Sequence, residues 1–270
     1  MTTRRAHASP SKRKGPLWGG LAALAVLGAA GFAAVDRIER PTAAGAAPTE
    51  RAEAGAASAR PTDTPRPSPS PTPSPSAEPD IPSTGPGTFT AATGSSAKAG
   101  SATPLRYRVE VEDGLDLSAA EVARQVERIL ADPRGWTADG HSAFQRVPNG
   151  PTDFVVKVAT PGTVDEICGQ YGLDTGGEVN CNVGRSVMVN LKRWLLATPV
   201  YAKDVTAYRA LIINHEVGHF LGHGHVGCPG AGEPAPVMMQ QIKGMHGCTP
   251  NVWPYDEKGR YLTGPALPSG

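Results

Sequence analysis

The stretch Asn214-His-Glu-Val-Gly-His-Phe-Leu-Gly-His-Gly-His225 decides the reading of this chain. On a helix, residues four apart share a face, so His215 and His219 can offer two imidazoles to one metal ion while Glu216 projects beside them. Gly222 tolerates the left-handed backbone that ends a helix and reverses the chain, which lets His225 return as a third ligand. His223 competes for that place because it lies four residues after His219; the glycines at 222 and 224 favour reversal and therefore His225. Three neutral nitrogen ligands leave one position of a tetrahedral zinc ion open to water, and Glu216 stands beside it as a candidate base. Five specified positions at this spacing arise by chance in on the order of one chain in 10⁵. The bland alternatives are a solvated, histidine-rich helix end and a metal site that serves structure alone.

The spacing H-E-x-x-H-x-x-G-x-x-H resembles that of the metzincins, a clan of zinc endopeptidases. The resemblance implies an α+β, metzincin-like zinc peptidase domain: a twisted mixed sheet, a buried zinc helix and a small irregular C-terminal subdomain. It also implies one catalytic Zn2+ on His215, His219 and His225, with Glu216 as general base in the hydrolysis of a peptide or protein substrate. Beneath the imidazoles of a metzincin lies a tight turn carrying a methionine. Pro236-Val-Met-Met-Gln-Gln241 follows His225 at a suitable distance, and Met238 is the candidate, with Met239 next to it; a methionine pair also suits plain core filling. Metzincins often carry a tyrosine two residues after that methionine, where this chain has Gln240. Clan members also bind extended substrate along an edge strand, for which residues 187–191 are the candidate. Residues 105–254 are similar, in addition, to an uncharacterised actinobacterial family of extracytoplasmic domains with this zinc motif.

Around the motif, Leu105-Arg-Tyr-Arg-Val-Glu-Val-Glu112 alternates apolar and charged side chains, the period of a half-buried strand. Ser118 and Glu121 form a capping box for a helix to about Ala131. Residues 143–147, 154–159 and 187–191 read as further strands, and Asp204 as the cap of the zinc helix. That helix is apolar on two sides, with Tyr208, Leu211 and Ile212 on one stripe and Ile213, Val217 and Phe220 on another, so it is expected to be buried.

The flanking sequence bounds location and partners. Arg4, Arg5, Lys12, Arg13 and Lys14 make residues 1–14 a basic cytoplasmic tail. The uncharged run 15–35 reads as a transmembrane signal-anchor or a signal peptide. Residues 36–100 read as a disordered stalk, because Ile81 and Phe89 are the only large apolar side chains between positions 41 and 100. Residues 101–270 form the zinc metallopeptidase-like domain, held at the cell membrane by a single pass with the domain outside, or alternatively secreted. That domain carries 15 Lys plus Arg against 18 Asp plus Glu, so nucleic acid is not expected as a partner; a monomer is expected. Cys168, Cys181, Cys228 and Cys248 all fall within it, which suits an oxidising compartment. Of three possible connectivities, Cys168–Cys181 and Cys228–Cys248 each close a glycine-rich loop, whereas a thiolate ligand at Cys228 is the rival reading. The functional readings are thus an extracytoplasmic zinc endopeptidase or a non-catalytic, zinc-stabilised surface binding module.

Overall fold

The alternation seen from Leu105 onward builds the central strand of the fold. A computed structural model describes residues 79–267, in which Leu105–Glu112 forms β2 with Tyr107, Val109 and Val111 buried on one face. Parallel to it runs β4 (Phe154–Ala159), and parallel to β4 runs β6 (Ser186–Asn190). β5 (Cys181–Val183) closes this side as an antiparallel edge. On the other side, β1 (Phe89–Ala91) pairs antiparallel with the end of β2, and β3 (Phe144–Arg146) pairs parallel with its start. The sheet is therefore mixed and the domain α+β.

Parallel neighbours need crossovers, and the helices between them cover both faces. One face packs on α1 (Ala119–Ala131), α3 (Leu191–Leu196) and α4 (Val205–Phe220). Val109, Val111, Val156, Val158, Val187 and Val189 from the strands meet Val122, Val126, Leu130, Ile213 and Val217 from these helices in the main core. Opposite, α2 (Pro161–Gly169) brings Val164 and Cys168 onto Ala159, Cys181, Val183 and Met188. Ser118 caps α1, accepting from the Glu121 amide, and Asp204 caps α4, accepting from the Ala207 amide. Neither α2 nor α3 was read from the sequence. The first nevertheless starts on Thr160-Pro161, a cap followed by a proline at the first helical position, while the second is too short for a period to register.

One boundary and one strand position differ from what the sequence suggests. Residues 79–100, read from composition as the end of the stalk, belong to the folded domain. Their two large apolar side chains explain why: Ile81 packs against the main core and Phe89 against the α2 face. The fully buried Glu112 carboxylate fixes the same segment, accepting from the Gly87 amide, the Thr160 amide and the Thr163 hydroxyl. Gly85 lies so close to that carboxylate that a Cβ would fall 2.3 Å from its oxygen. The second correction concerns the candidate edge strand: β6 is bonded on both sides, to β4 and β5, and the edge next to α4 is β5.

The basic tail, the run 15–35 and the stalk up to residue 78 lie outside the described residues. Among the described residues no helix is long and apolar enough to cross a membrane.

Because Glu112 satisfies three donors at once, Glu112→Ala should lower unfolding free energy by about 3 kcal/mol or more. Exposed Glu257→Ala serves as the control and should cost less than about 0.5 kcal/mol. Urea titration of both variants is the measurement.

Candidate metal centre

α4 carries the first two histidines. Its buried residues run around the whole circumference, from Tyr208 and Leu211 through Ile213 and Asn214 to Glu216, Val217 and Gly218, so the helix passes through the interior and opens only where its ligand face meets a cleft. The helix ends at Phe220, Leu221 caps it, and Gly222 takes φ +92°, a conformation open to glycine without strain. The Gly222 amide donates to the His219 carbonyl and the His223 amide to that of Gly218, closing the turn. The chain then doubles back, and His225 comes to face His215 and His219.

The three Nε2 atoms converge. His225 Nε2 lies 3.3 Å from His215 Nε2 and 3.0 Å from His219 Nε2. His215 Nδ1 donates to the Val237 carbonyl at 2.7 Å and His219 Nδ1 to the His223 carbonyl at 2.8 Å. A carbonyl can only accept, so these bonds place the proton of each neutral ring on Nδ1 and leave Nε2 as a bare lone pair. His225 can donate to one of the two lone pairs, never to both. Nitrogen ligands on a tetrahedral ion at about 2.0–2.1 Å stand about 3.3–3.4 Å apart, close to the two separations from His225. The residues therefore fit a single metal ion, and His215, His219 and His225 are the group that could hold one.

Burial keeps the rings neutral. Burial first, then the neighbouring His219, holds the His215 imidazole down to about 3 against the raising effect of its bond to Val237. Burial, then His219 and Lys243, brings His225 down to about 4, and burial also lowers His219. Glu216, beside the first ligand, is 5% exposed, and its carboxylate hydrogen-bonds to no other described residue. Its carboxyl is pushed up to about 8 by burial alone. A carboxyl without an internal partner, next to a metal-competent triad, is poised to exchange a proton with something in the cleft.

That cleft has a volume of about 670 Å³. Its upper rim is the loop carrying Leu173, Asp174 and Thr175, followed by the edge strand at Cys181 and Asn182; the lower rim is Met239 to Lys243 together with Leu267. The Cys168–Cys181 disulfide ties the upper loop back to α2.

The lower side has almost no regular structure and is held by specific contacts. The Cys228–Cys248 disulfide closes it. The Val226 amide donates to Met238, that of Gly227 to Pro265 and that of Leu267 to His225, so the third ligand is gripped from two directions. Met238 is 1% exposed and lies under α4 at Gly218, where a Cβ would fall 2.4 Å from the methionine sulfur and 2.7 Å from the Trp136 ring. Trp136 donates from Nε1 to the Asn214 carbonyl and stacks on His223 at 4.4 Å. Neither Gly218 nor Trp136 was read from the sequence; a glycine inside a helical pattern was the one available signal. His223 thus takes the tryptophan, while its carbonyl orients His219. Asn214 is buried, donates to the Val252 carbonyl and leaves its own amide oxygen unpartnered. His141 and His246 are exposed and do not line the cleft.

Fold and site together define an α+β domain with a three-histidine, metal-competent centre in a cleft, and its two disulfides fit a place outside the cytoplasm. The family model described as "Protein of unknown function (DUF3152)" matches residues 76–249, and the chain belongs to that family. No curated protein and no solved structure matches the chain. The match starts within three residues of the first described one and contains all three histidines, Glu216 and Met238.

Since His223 offers the site only its backbone carbonyl, His223→Ala should keep metal binding largely intact, whereas His225→Ala should reduce affinity by at least about 100-fold. Metal analysis after dialysis against a competing chelator checks the order. If His223→Ala proved the more damaging, the assignment of the third ligand would be wrong.

Proposed function

We propose that this protein is a zinc-dependent peptide hydrolase of metzincin type, working outside the cytoplasm and held at the membrane through residues 15–35. The observation that carries the reading is the pairing of two features in one cleft: three converging imidazole nitrogens, and a buried carboxyl next to the first of them with no partner of its own. A structural metal site needs the first feature and has no use for the second.

His215, His219 and His225 would hold the ion. Bound there, zinc would polarise a substrate carbonyl, acidify a water and, by its charge, favour the ionised form of Glu216. Glu216 takes the proton of the attacking water and later delivers it to the departing amine, two transfers that one carboxyl can serve in turn. Val237 and His223, through their carbonyls, keep two imidazoles in the tautomer that presents Nε2. The edge strand Cys181–Val183 is paired on one side only, and its Cys181 and Asn182 line the cleft, where an extended peptide can add as a further strand. Gln240, two residues past Met238, lines the cleft, so no tyrosine serves from that position.

The rival reading, a surface binding module, draws on a real feature. One ion would fasten the irregular C-terminal segment to α4, a role that metal fulfils in many small domains without any reaction.

Glu216→Gln preserves size and removes the base. Zinc content should remain at one per chain while hydrolysis of a peptide library falls by about 10²–10⁴-fold. Loss of metal along with activity would show damage to the site rather than loss of the base, and a zinc-loaded wild-type protein that cleaves no peptide would leave the binding-module reading in its place.

A further inference from the structure

Lys243 lines the same cleft as the triad, at the end of the short 3-10 turn Gln241–Lys243. It is exposed, and among the described residues no carboxylate lies within ion-pairing distance of it. The other charged side chains on the cleft wall are Glu216 and, on the opposite rim, Asp174. Among the described residues that line the cleft, Lys243 is therefore the one with a positively charged side chain.

The placement is electrostatically odd. An ammonium on the wall of the cleft that holds a metal-competent triad adds like-charge repulsion once a cation is bound, and no acid among the described residues pairs with it. Lysines that stabilise a fold do so by pairing or by covering apolar surface with their stems; this one is exposed on the cleft wall and pairs with no carboxylate among the described residues. What gains from two positive centres on one side of a cleft is an anion bound between them or beside them.

We infer that Lys243 selects substrates that place a carboxylate on the lower rim of the cleft, close to the scissile bond. The inference rests on the hydrolase reading and deepens it by naming a substrate class: peptides with an acidic residue, or a free C-terminus, near the cleavage point. Lys243 acts here as a specificity residue. Its effect belongs in binding and KM, with kcat on a given peptide changing little by comparison.

The experiment uses the full-length, zinc-loaded protein in its Glu216→Gln form, so that binding is read without turnover, and in its wild-type form for hydrolysis. Fluorescently labelled peptides of one parent sequence carry Asp or Asn at each position in turn, with the C-terminus free or amidated. Lys243 should favour the best acidic peptide over its amide counterpart by about threefold to tenfold, a preference that shrinks as salt is raised. Lys243→Ala should bring the ratio to about one, Lys243→Arg should keep it, and Lys243→Glu should reverse it in favour of Lys-containing peptides. A preference that follows the internal Asp identifies a side-chain carboxylate, and one that follows the free end identifies a terminal carboxylate. Equal ratios for wild type and Lys243→Ala would overturn the inference. Hydrolysis with equal ratios would remove the role of Lys243 and leave the hydrolase standing; an acidic preference in binding with no hydrolysis by the wild type would support Lys243 and remove the hydrolase.

Discussion

Three imidazole nitrogens converge, His225 Nε2 lying 3.0–3.3 Å from the other two, and because those two are stripped of any proton by the bonds on the far side of their rings the three cannot satisfy each other. Converging lone pairs repel, and the partner that removes the repulsion is a cation. Much of the architecture on either side of the triad serves this constraint. α4 brings two rings to one face, the turn at Gly222 returns the third, and the carbonyls of Val237 and His223 fix which nitrogen points inward.

Holding that geometry on the C-terminal side takes other means than secondary structure. From Leu221 to Leu267 the one regular element is a single 3-10 turn, so the segment depends on a disulfide, on backbone bonds from 226, 227 and 267, and on the packing of Met238 against a helix glycine. Gly218 makes the close approach possible. Any side chain at that position would push Met238 or Trp136 away and take Val237, the residue before Met238, with it. The site thus lies where a rigid helix meets a segment shaped by cross-links, and a metal ion would be one more of them.

The parts of this arrangement that were legible in the sequence are those with local signatures. β2 announces itself by alternation and β4 by its valine-rich run, α1 and α4 by caps at Ser118 and Asp204, and the ligand triad by spacing along one helix and one glycine turn. What stayed hidden depends on residues far apart in the chain. Trp136 reaches the Asn214 carbonyl across 78 positions, and a backbone carbonyl such as that of Val237 has no sequence signal at all. The segment before residue 100 misled because two apolar side chains among prolines and alanines look like too few to fold. They suffice here because β2 offers an unpaired edge and Glu112 a buried acceptor. The edge strand was misplaced for the opposite reason, since β5 has three residues and no pattern, while β6 reads strongly because it is central.

The central claim is that three histidine nitrogens, and no sulfur, hold one zinc ion with a further position left for a light ligand. X-ray absorption at the zinc edge of the metal-loaded protein tests it most directly. The account predicts a first shell of nitrogen and oxygen at about 2.0–2.1 Å with the multiple-scattering signature of three imidazoles. A sulfur shell at about 2.3 Å, or a signature of two imidazoles or fewer, would contradict it.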